Sequence, residues 1–398
     1  MSGRLLIVHN SYQHRGGEDI VVEAEVELLR QHGHEVELFL RNNDEIGNIG
    51  RVALMAQTLW SATTVKAFKT IVQTFKPDLV HVHNTFPLIS PSLYWAAAEA
   101  KVPVVQTLHN FRLLCPQAML LRAGKVCEDC VGKLPWRGIV RGCYRESVMH
   151  SAVLGGALML HRALGTYQER VGCYIALTEF GRQKFIEGGL PPELIRVKPN
   201  FVESPLIRTH VKRQGFLFVG RLSTEKGVGI LANAMSCMPG LRCEVIGAGP
   251  GEEMLADIPG VLMSGWQKGD RVFERMQAAC ALVMPSICYE GFPRTLVEAF
   301  AAGLPVIASR LGAMAALIKD GHTGLLFDPG NAADLAAKLQ WAHSHPERMD
   351  AMGLAARAEY EAHYTPEKNY TMLMEIYADA IEAEHRKSYA AASSWSAD

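Results

Sequence analysis

Short apolar runs and amphipathic stretches alternate along this chain from end to end, a rhythm that argues for parallel βαβ units. In the first half, Leu5 to His9, Val36 to Leu40, Leu79 to Val82, Val102 to Leu108 and Tyr174 to Leu177 read as buried strands. A helix is expected over Glu18 to His32, ending at Gly33, a residue suited to the position after a helix. The rhythm then restarts. Phe216 to Val219, Cys243 to Ile246, Val261 to Ser264, Ala281 to Met284, Val306 to Ser309 and Gly324 to Phe327 are the strands of a second half. A chain of 398 residues is too long for one core. The expected order is a first α/β domain over 1–200, a linker over 201–215 that has Pro205 and no apolar period, and a second α/β domain over 216–365. An amphipathic helix over 366–387 carries Tyr370, Leu373, Met374, Tyr377 and Ile381 on one face. An Ala- and Ser-rich tail, 388–398, is expected to be disordered.

Composition narrows the function classes. A formal net charge of −1 gives no footprint for nucleic acid, and 48% hydrophobic with 20% charged residues is ordinary for a soluble enzyme. The N-terminus is a short apolar strand without a secretory signal's apolar region or cleavage site, and no run is long enough to span a bilayer. A cytoplasmic chain is therefore expected, with peripheral contact at the inner face of the cell membrane left open. Nine scattered cysteines suit reduced thiols better than a disulfide framework.

Chemistry concentrates at strand ends. After the strand Ala281–Met284 comes Tyr289-Glu290-Gly291-Phe292-Pro293-Arg294-Thr295-Leu296-Val297-Glu298. The first carboxylate sits on a loop at the strand end and the second about one turn into the next helix, where open α/β sheets bind ligands. Carboxylates accept sugar hydroxyls well, so this pair could grip two rings of one ligand. Gly220-Arg221-Leu222-Ser223-Thr224-Glu225-Lys226-Gly227 follows the first strand of the second half. Its Arg and Lys can converge on one diphosphate. Near the N-terminus, Gly16 and Gly17 open a helix, an arrangement suited to an anion. His83, and His109 with Asn110, end two strands of the first domain on the ligand edge. Gly247 begins a tight Gly-x-Gly turn that lacks the third glycine of a dinucleotide fingerprint. Trp266, after Met263-Ser264-Gly265, reads as a packing residue. Phe86 to Trp95 reads as a buried helix start more than as an apolar rim.

Glu290 and Glu298, with the Gly-Arg-Leu…Glu-Lys-Gly stretch before them, resemble the signature of retaining glycosyltransferases of the family-4-like group 1. The resemblance implies a GT-B fold, in which two Rossmann-like domains face across a cleft and the last helix crosses back to the first domain. It implies that Glu290 holds the donor sugar and Glu298 the nucleotide ribose. Arg221 and Lys226 bind the diphosphate as it leaves. Gly16, Gly17, Gly220, Gly247, Gly291, Phe292 and Pro293 approach the donor. His109 lies near the donor sugar, and His83 and Asn110 line the acceptor side. The donor would be a UDP- or GDP-sugar, and the acceptor lipid-linked or a polysaccharide. One departure stands out. Many relatives have Gly-Phe-Gly-Leu where this chain has Gly291-Phe292-Pro293-Arg294, and Pro293 removes a backbone donor. No Asp-x-Asp occurs in the chain, so no catalytic cofactor is expected. A sugar-nucleotide epimerase or phosphorylase on the same fold, or a silent binding scaffold, are the competing readings.

The insertion at 111–146 holds Cys115, Cys127, Cys130 and Cys143, and the middle two form a CxxC. Four thiolates at these spacings could close a structural zinc site that shapes the acceptor side. Disulfides and unpaired structural cysteines are the other readings.

Overall fold

The computed structural model describes residues 3–13, 15–204 and 213–394. Part of the expected linker, and residues 395–398 of the expected tail, lie outside the described residues. The strands are β1 (Arg4–Ser11), β2 (Glu35–Asn42), β3 (Leu79–Asn84), β4 (Val104–Leu108), β5 (Leu121–Arg122), β6 (Lys125–Val126), β7 (Cys173–Ala176) and β8 (Ile195–Val197), then β9 (Phe216–Val219), β10 (Cys243–Ile246), β11 (Val261–Gly265), β12 (Ala281–Met284), β13 (Val306–Ser309) and β14 (Gly324–Phe327). They build two six-stranded sheets, ordered β2-β1-β3-β4-β7-β8 and β11-β10-β9-β12-β13-β14, and a small β5-β6 hairpin. Both large sheets are parallel throughout.

The central strands of each sheet are largely apolar because they bury both faces. In the first sheet Leu6, Val8, Val80 and Val82 pack on one side. Leu5, Ile7, Leu79, Val105 and Ile175 pack on the other. The second sheet repeats this, with Leu217, Leu282 and Val306 on one face and Phe216, Phe218, Val245 and Val283 on the other. The order of each sheet reverses beside its first strand, between β1 and β3 and between β9 and β12. Ligands bind beyond the carboxyl ends of the strands at such a reversal. The segments starting at Tyr12 and Gly220 and ending at Glu290 lie there.

The last helix, Pro366–Ser394, crosses back to the first sheet. Leu373, Ile376, Tyr377 and Ala380 are buried against Leu5, Ile7, Val22 and Val105. Polar contacts fix its register: Tyr370 Oη lies 2.9 Å from His34 Nε2 and Tyr377 Oη 2.7 Å from His81 Nδ1. Asn369 Nδ2 donates to Pro199 O at 2.6 Å. The helix runs past 387, where sequence patterning ends it, because the Ala-rich stretch that follows favours helix.

Two elements escape the periodicity reading. β8 has three residues, and the β5-β6 hairpin has two per strand. Neither is long enough to show a period. Phe86 to Trp95 does start a buried helix: Leu88, Ile89, Leu93 and Tyr94 are all buried.

Candidate active site

The loop after β12 and the loop after β9 meet side chain to side chain. Lys226 Nζ donates to both oxygens of Glu290, at 2.8 and 3.0 Å. Ser286 Oγ donates to Glu290 Oε1 at 2.7 Å. Burial opposes both charges, yet each charge outweighs it for the other. The Glu290 carboxyl is held below its ordinary range and the Lys226 ammonium above its own. A cavity of about 300 Å³ surrounds this pair, and Gly17, Gly220, Arg221, Phe292 and Pro293 are on its wall. Seven of the sequence-expected donor residues are thus brought together.

One of the seven is turned from the pair, and Gly16, Gly247, Gly291 and Glu298 are not on the cavity wall. Arg221 is two-thirds exposed and turns to Glu225, not to Lys226. Glu298 lies in the Arg294–Ala301 helix, with Arg294 Nε 3.1 Å from its Oε1. Burial pushes the Glu298 carboxyl up against the pull of Arg294. Arg294 lines the cavity, and its Nη1 has no hydrogen-bond partner. Gly247 does not line the cavity; a Cβ there would meet Gly220 O at 1.9 Å, so its small size serves loop packing. Gly16 N–H donates to Asp19 Oδ2 at 2.7 Å, so the helix's own carboxylate occupies that amide. Trp266 is 72% exposed, which overturns the packing reading.

On the facing side, His109 follows β4 and His83 lies within β3. His83 Nδ1 is 2.9 Å from His109 Nε2. Burial, and then neighbouring His81, bring His83 down to about 3. Burial and His83 hold His109 well below its ordinary value. Both rings are therefore neutral near pH 7. His109 thus presents a hydrogen-bonding nitrogen, not a charge. His83, His109 and Asn110 line a second cavity of about 70 Å³ beside Phe86, Arg112 and Leu158.

Beneath them lies a group of charges that local sequence does not reveal. Glu25 Oε1 is 3.0 Å from His81 Nδ1 and 3.3 Å from His83 Nε2. Among the described residues, these three form the one group of ligand-type side chains whose atoms lie within 4.8 Å of one another. A cation is already present: Lys198 Nζ donates to Glu25 Oε2 at 3.1 Å and to Asn369 Oδ1 at 3.0 Å. Glu18 is another residue missed. It stands in the first turn of the Gly17–Gln31 helix, takes a hydrogen bond from Tyr12 Oη at 3.0 Å, and is pushed up to about 8, chiefly by burial. Its place beside Gly17 was the available signal.

Comparison with known proteins assigns the chain. The family described as Glycosyl transferase 4-like domain matches residues 16–200, and Glycosyl transferases group 1 matches 207–359. A D-inositol 3-phosphate glycosyltransferase of Streptomyces bingchenggensis is 32% identical over 78% of this chain and 68% of its own length. The chain belongs to the group 1, family-4-like glycosyltransferases. A sulfoquinovosyl transferase of Arabidopsis thaliana is 27% identical over 77% of this chain, which spans 58% of that protein's length. Sucrose-phosphate synthase from Thermosynechococcus elongatus shares the fold, with a TM-score of 0.72 at 18% identity over 96% of this chain and 100% of that one. Anabaena HepE, solved with UDP-glucose, superposes with a TM-score of 0.65 at 18% identity, covering 94% and 98%. The fold is GT-B.

In this glycosyltransferase the two halves touch at Gly291, where a Cβ would lie 2.3 Å from His109 O. Replacing Gly291 by Ala forces the Glu290 loop away from His109. Overpacking of this kind costs about 1–3 kcal/mol. We therefore expect kcat/KM for the donor to fall about tenfold or more, with the melting temperature of the chain lowered by several degrees. Wild-type turnover in G291A would show that this close approach is not needed for catalysis.

Proposed function

We propose that this glycosyltransferase moves a sugar from a UDP- or GDP-sugar to a lipid-linked or polysaccharide acceptor, with retention of anomeric configuration and without a catalytic metal. The observation that carries the reading is the Lys226–Glu290 pair at the β9/β12 reversal. A carboxylate accepts sugar hydroxyls, and an ammonium beside it stabilises a departing diphosphate. Arg221, on the same wall, can swing from Glu225 to add a second cation. Glu298 would take the ribose, and His109 would bind the donor sugar as a neutral partner. The donor phosphate, as it leaves, would take the acceptor's proton, so no protein nucleophile is invoked. HepE was solved with UDP-glucose, which supports a nucleotide-sugar donor here.

The acceptor reading rests on the first domain. Trp136, Val140, Val148 and Met149 are all more than half exposed on one stretch of chain. A cavity beside the same Val148–Ala163 helix is lined by Leu54, Met55, Phe86, Tyr144 and Leu154. It shares Phe86 and Leu154 with the His109 cavity. Such a surface suits a lipid-linked acceptor and peripheral contact at the inner face of a membrane. Among the described residues no helix is long and apolar enough to cross a membrane.

A thermal-shift screen of UDP, GDP and their sugars tests the donor. A nucleotide-sugar at about 100 times its Kd stabilises the fold by about 2.7 kcal/mol, read as a raised melting temperature. No shift with any nucleotide or nucleotide-sugar would overturn the donor reading.

A further inference from the structure

His109 stands where the two domains meet: its carbonyl faces Gly291, and it lines the cavity of about 70 Å³. A neutral imidazole carries one proton on either of two nitrogens, and only the bare nitrogen accepts a hydrogen bond. Which nitrogen is bare decides what His109 can bind. The groups behind the ring decide which it is.

His109 Nε2 lies 2.9 Å from His83 Nδ1. At this distance one nitrogen donates and the other accepts, so the two neutral rings hold one proton between them. Two arrangements satisfy that. In the first, His83 keeps its proton on Nδ1, donates to His109 Nε2 and turns a bare Nε2 to its far side. In the second, His83 keeps its proton on Nε2, and His109 Nε2–H donates to His83 Nδ1.

What lies on the far side of His83 chooses between them. Glu25, from the Gly17–Gln31 helix, places Oε1 3.3 Å from His83 Nε2. The pair is not aligned as a hydrogen bond, so charge is what acts between them. The side chains are 0% and 3% exposed for His83 and Glu25, so the contact is closed to solvent and its electrostatics are strong. A carboxylate oxygen repels a bare nitrogen lone pair and attracts an N–H. Lys198 keeps Glu25 ionised, its Nζ donating to Oε2 at 3.1 Å, and Asn369 of the last helix holds Lys198 in turn at 3.0 Å. A well-packed apolar pair in place of Lys198 and Glu25 would stabilise the fold as well. It would not order the histidine protons.

We propose that Glu25, acting through His83, is a positioning residue that fixes His109 with its proton on Nε2 and a bare Nδ1, so that His109 accepts a hydrogen bond from a sugar hydroxyl instead of donating one. The use of that nitrogen rests on the reading of His109 as a sugar-binding residue. The order of the protons does not.

The test is long-range proton–nitrogen NMR of the full chain labelled with ¹⁵N-histidine near pH 7, which separates protonated from bare ring nitrogens. The His109 signals are identified by their loss in H109Q. A protonated Nε2 and a bare Nδ1 are expected. A bare Nε2, an even mixture or a charged ring overturns the proposal. In E25Q/K198M, which removes both buried charges, His109 should become a mixture of tautomers. Its kcat/KM for the nucleotide-sugar should fall about tenfold, the effect of one hydrogen bond, while affinity for the free nucleoside diphosphate, which carries no donor sugar, holds. If that variant does not fold, H83L, which leaves Glu25 and Lys198 paired, should give the same mixture. The wild-type tautomer in a folded E25Q/K198M or H83L chain overturns the role of Glu25. Normal turnover in H109Q beside the expected wild-type spectrum would overturn the sugar-binding reading and leave the proton order standing.

Discussion

Glu290→Gln is expected to lower transfer about 100- to 1,000-fold, the usual loss when one charge-stabilising group leaves an active site, while the melting temperature scarcely moves. The shape of the side chain is kept; its charge is lost. Glu290 accepts from Lys226 and Ser286 on a loop whose other face meets His109. With a neutral amide there, Lys226 loses the partner that holds it charged and oriented beside the proposed diphosphate position. The effect on stability is small because Lys226 is about one-third exposed, and such pairs contribute roughly 1 kcal/mol or less. The pH profile carries the same signature. Burial raises the Glu290 carboxyl, but Lys226 and Ser286 outweigh it, so its folded value is depressed. A group that must be ionised and titrates low loses activity only as pH falls through that low value. The acid limb of kcat/KM should therefore lie below the ordinary carboxylate range of about 4.3. Steady-state kinetics of wild type, E290Q and Lys226→Ala would check both statements. Near-normal rates in the two variants would remove this pair from the site.

Lys198→Met is expected to cost about 3–5 kcal/mol of stability, the loss that follows when one partner of a buried ion pair is removed. Lys198 and Glu25 are 1% and 3% exposed, so the carboxylate left behind finds no water. Burial alone would push Glu25 up, yet Lys198 and His81 hold it well below its ordinary range. Its folded pKa is depressed, so its contribution is complete above about pH 4.3. It is lost as pH falls from there through the folded value. K198M should flatten that acid dependence as well as lower the urea midpoint. Removing both charges, as in E25Q/K198M, should recover part of the loss. A K198M chain as stable as wild type would show that Lys198 does not anchor the first domain to Asn369 of the crossing helix.

What could be read in the sequence was local. Strands buried on both faces leave continuous apolar runs, so Leu5 to His9 or Ala281 to Met284 announce themselves. Lys226 and Glu290 sit in short motifs at strand ends, and their meeting follows from the β9/β12 reversal. The Lys198–Glu25 pair spans 173 positions and no short window holds both, so nothing local marks it. His81 looks like any strand residue until Tyr377, 296 positions later, reaches it. The Gly16 amide seemed free for an anion because sequence does not show that Asp19 folds back on it. That Arg221 pairs with Glu225, four residues on, is equally unmarked in the sequence, where its spacing from Lys226 suggests only two cations that can converge on one diphosphate.

The most direct test of the proposed donor chemistry is proton NMR of nucleotide-sugar turnover by the purified chain in the presence of EDTA, with E290Q alongside. The account predicts release of the nucleoside diphosphate and transfer, or slow hydrolysis, in which the first anomeric signal has the donor's configuration, with E290Q nearly silent. An inverted first product, loss of turnover on adding EDTA while the fold persists, or full activity in E290Q would contradict it.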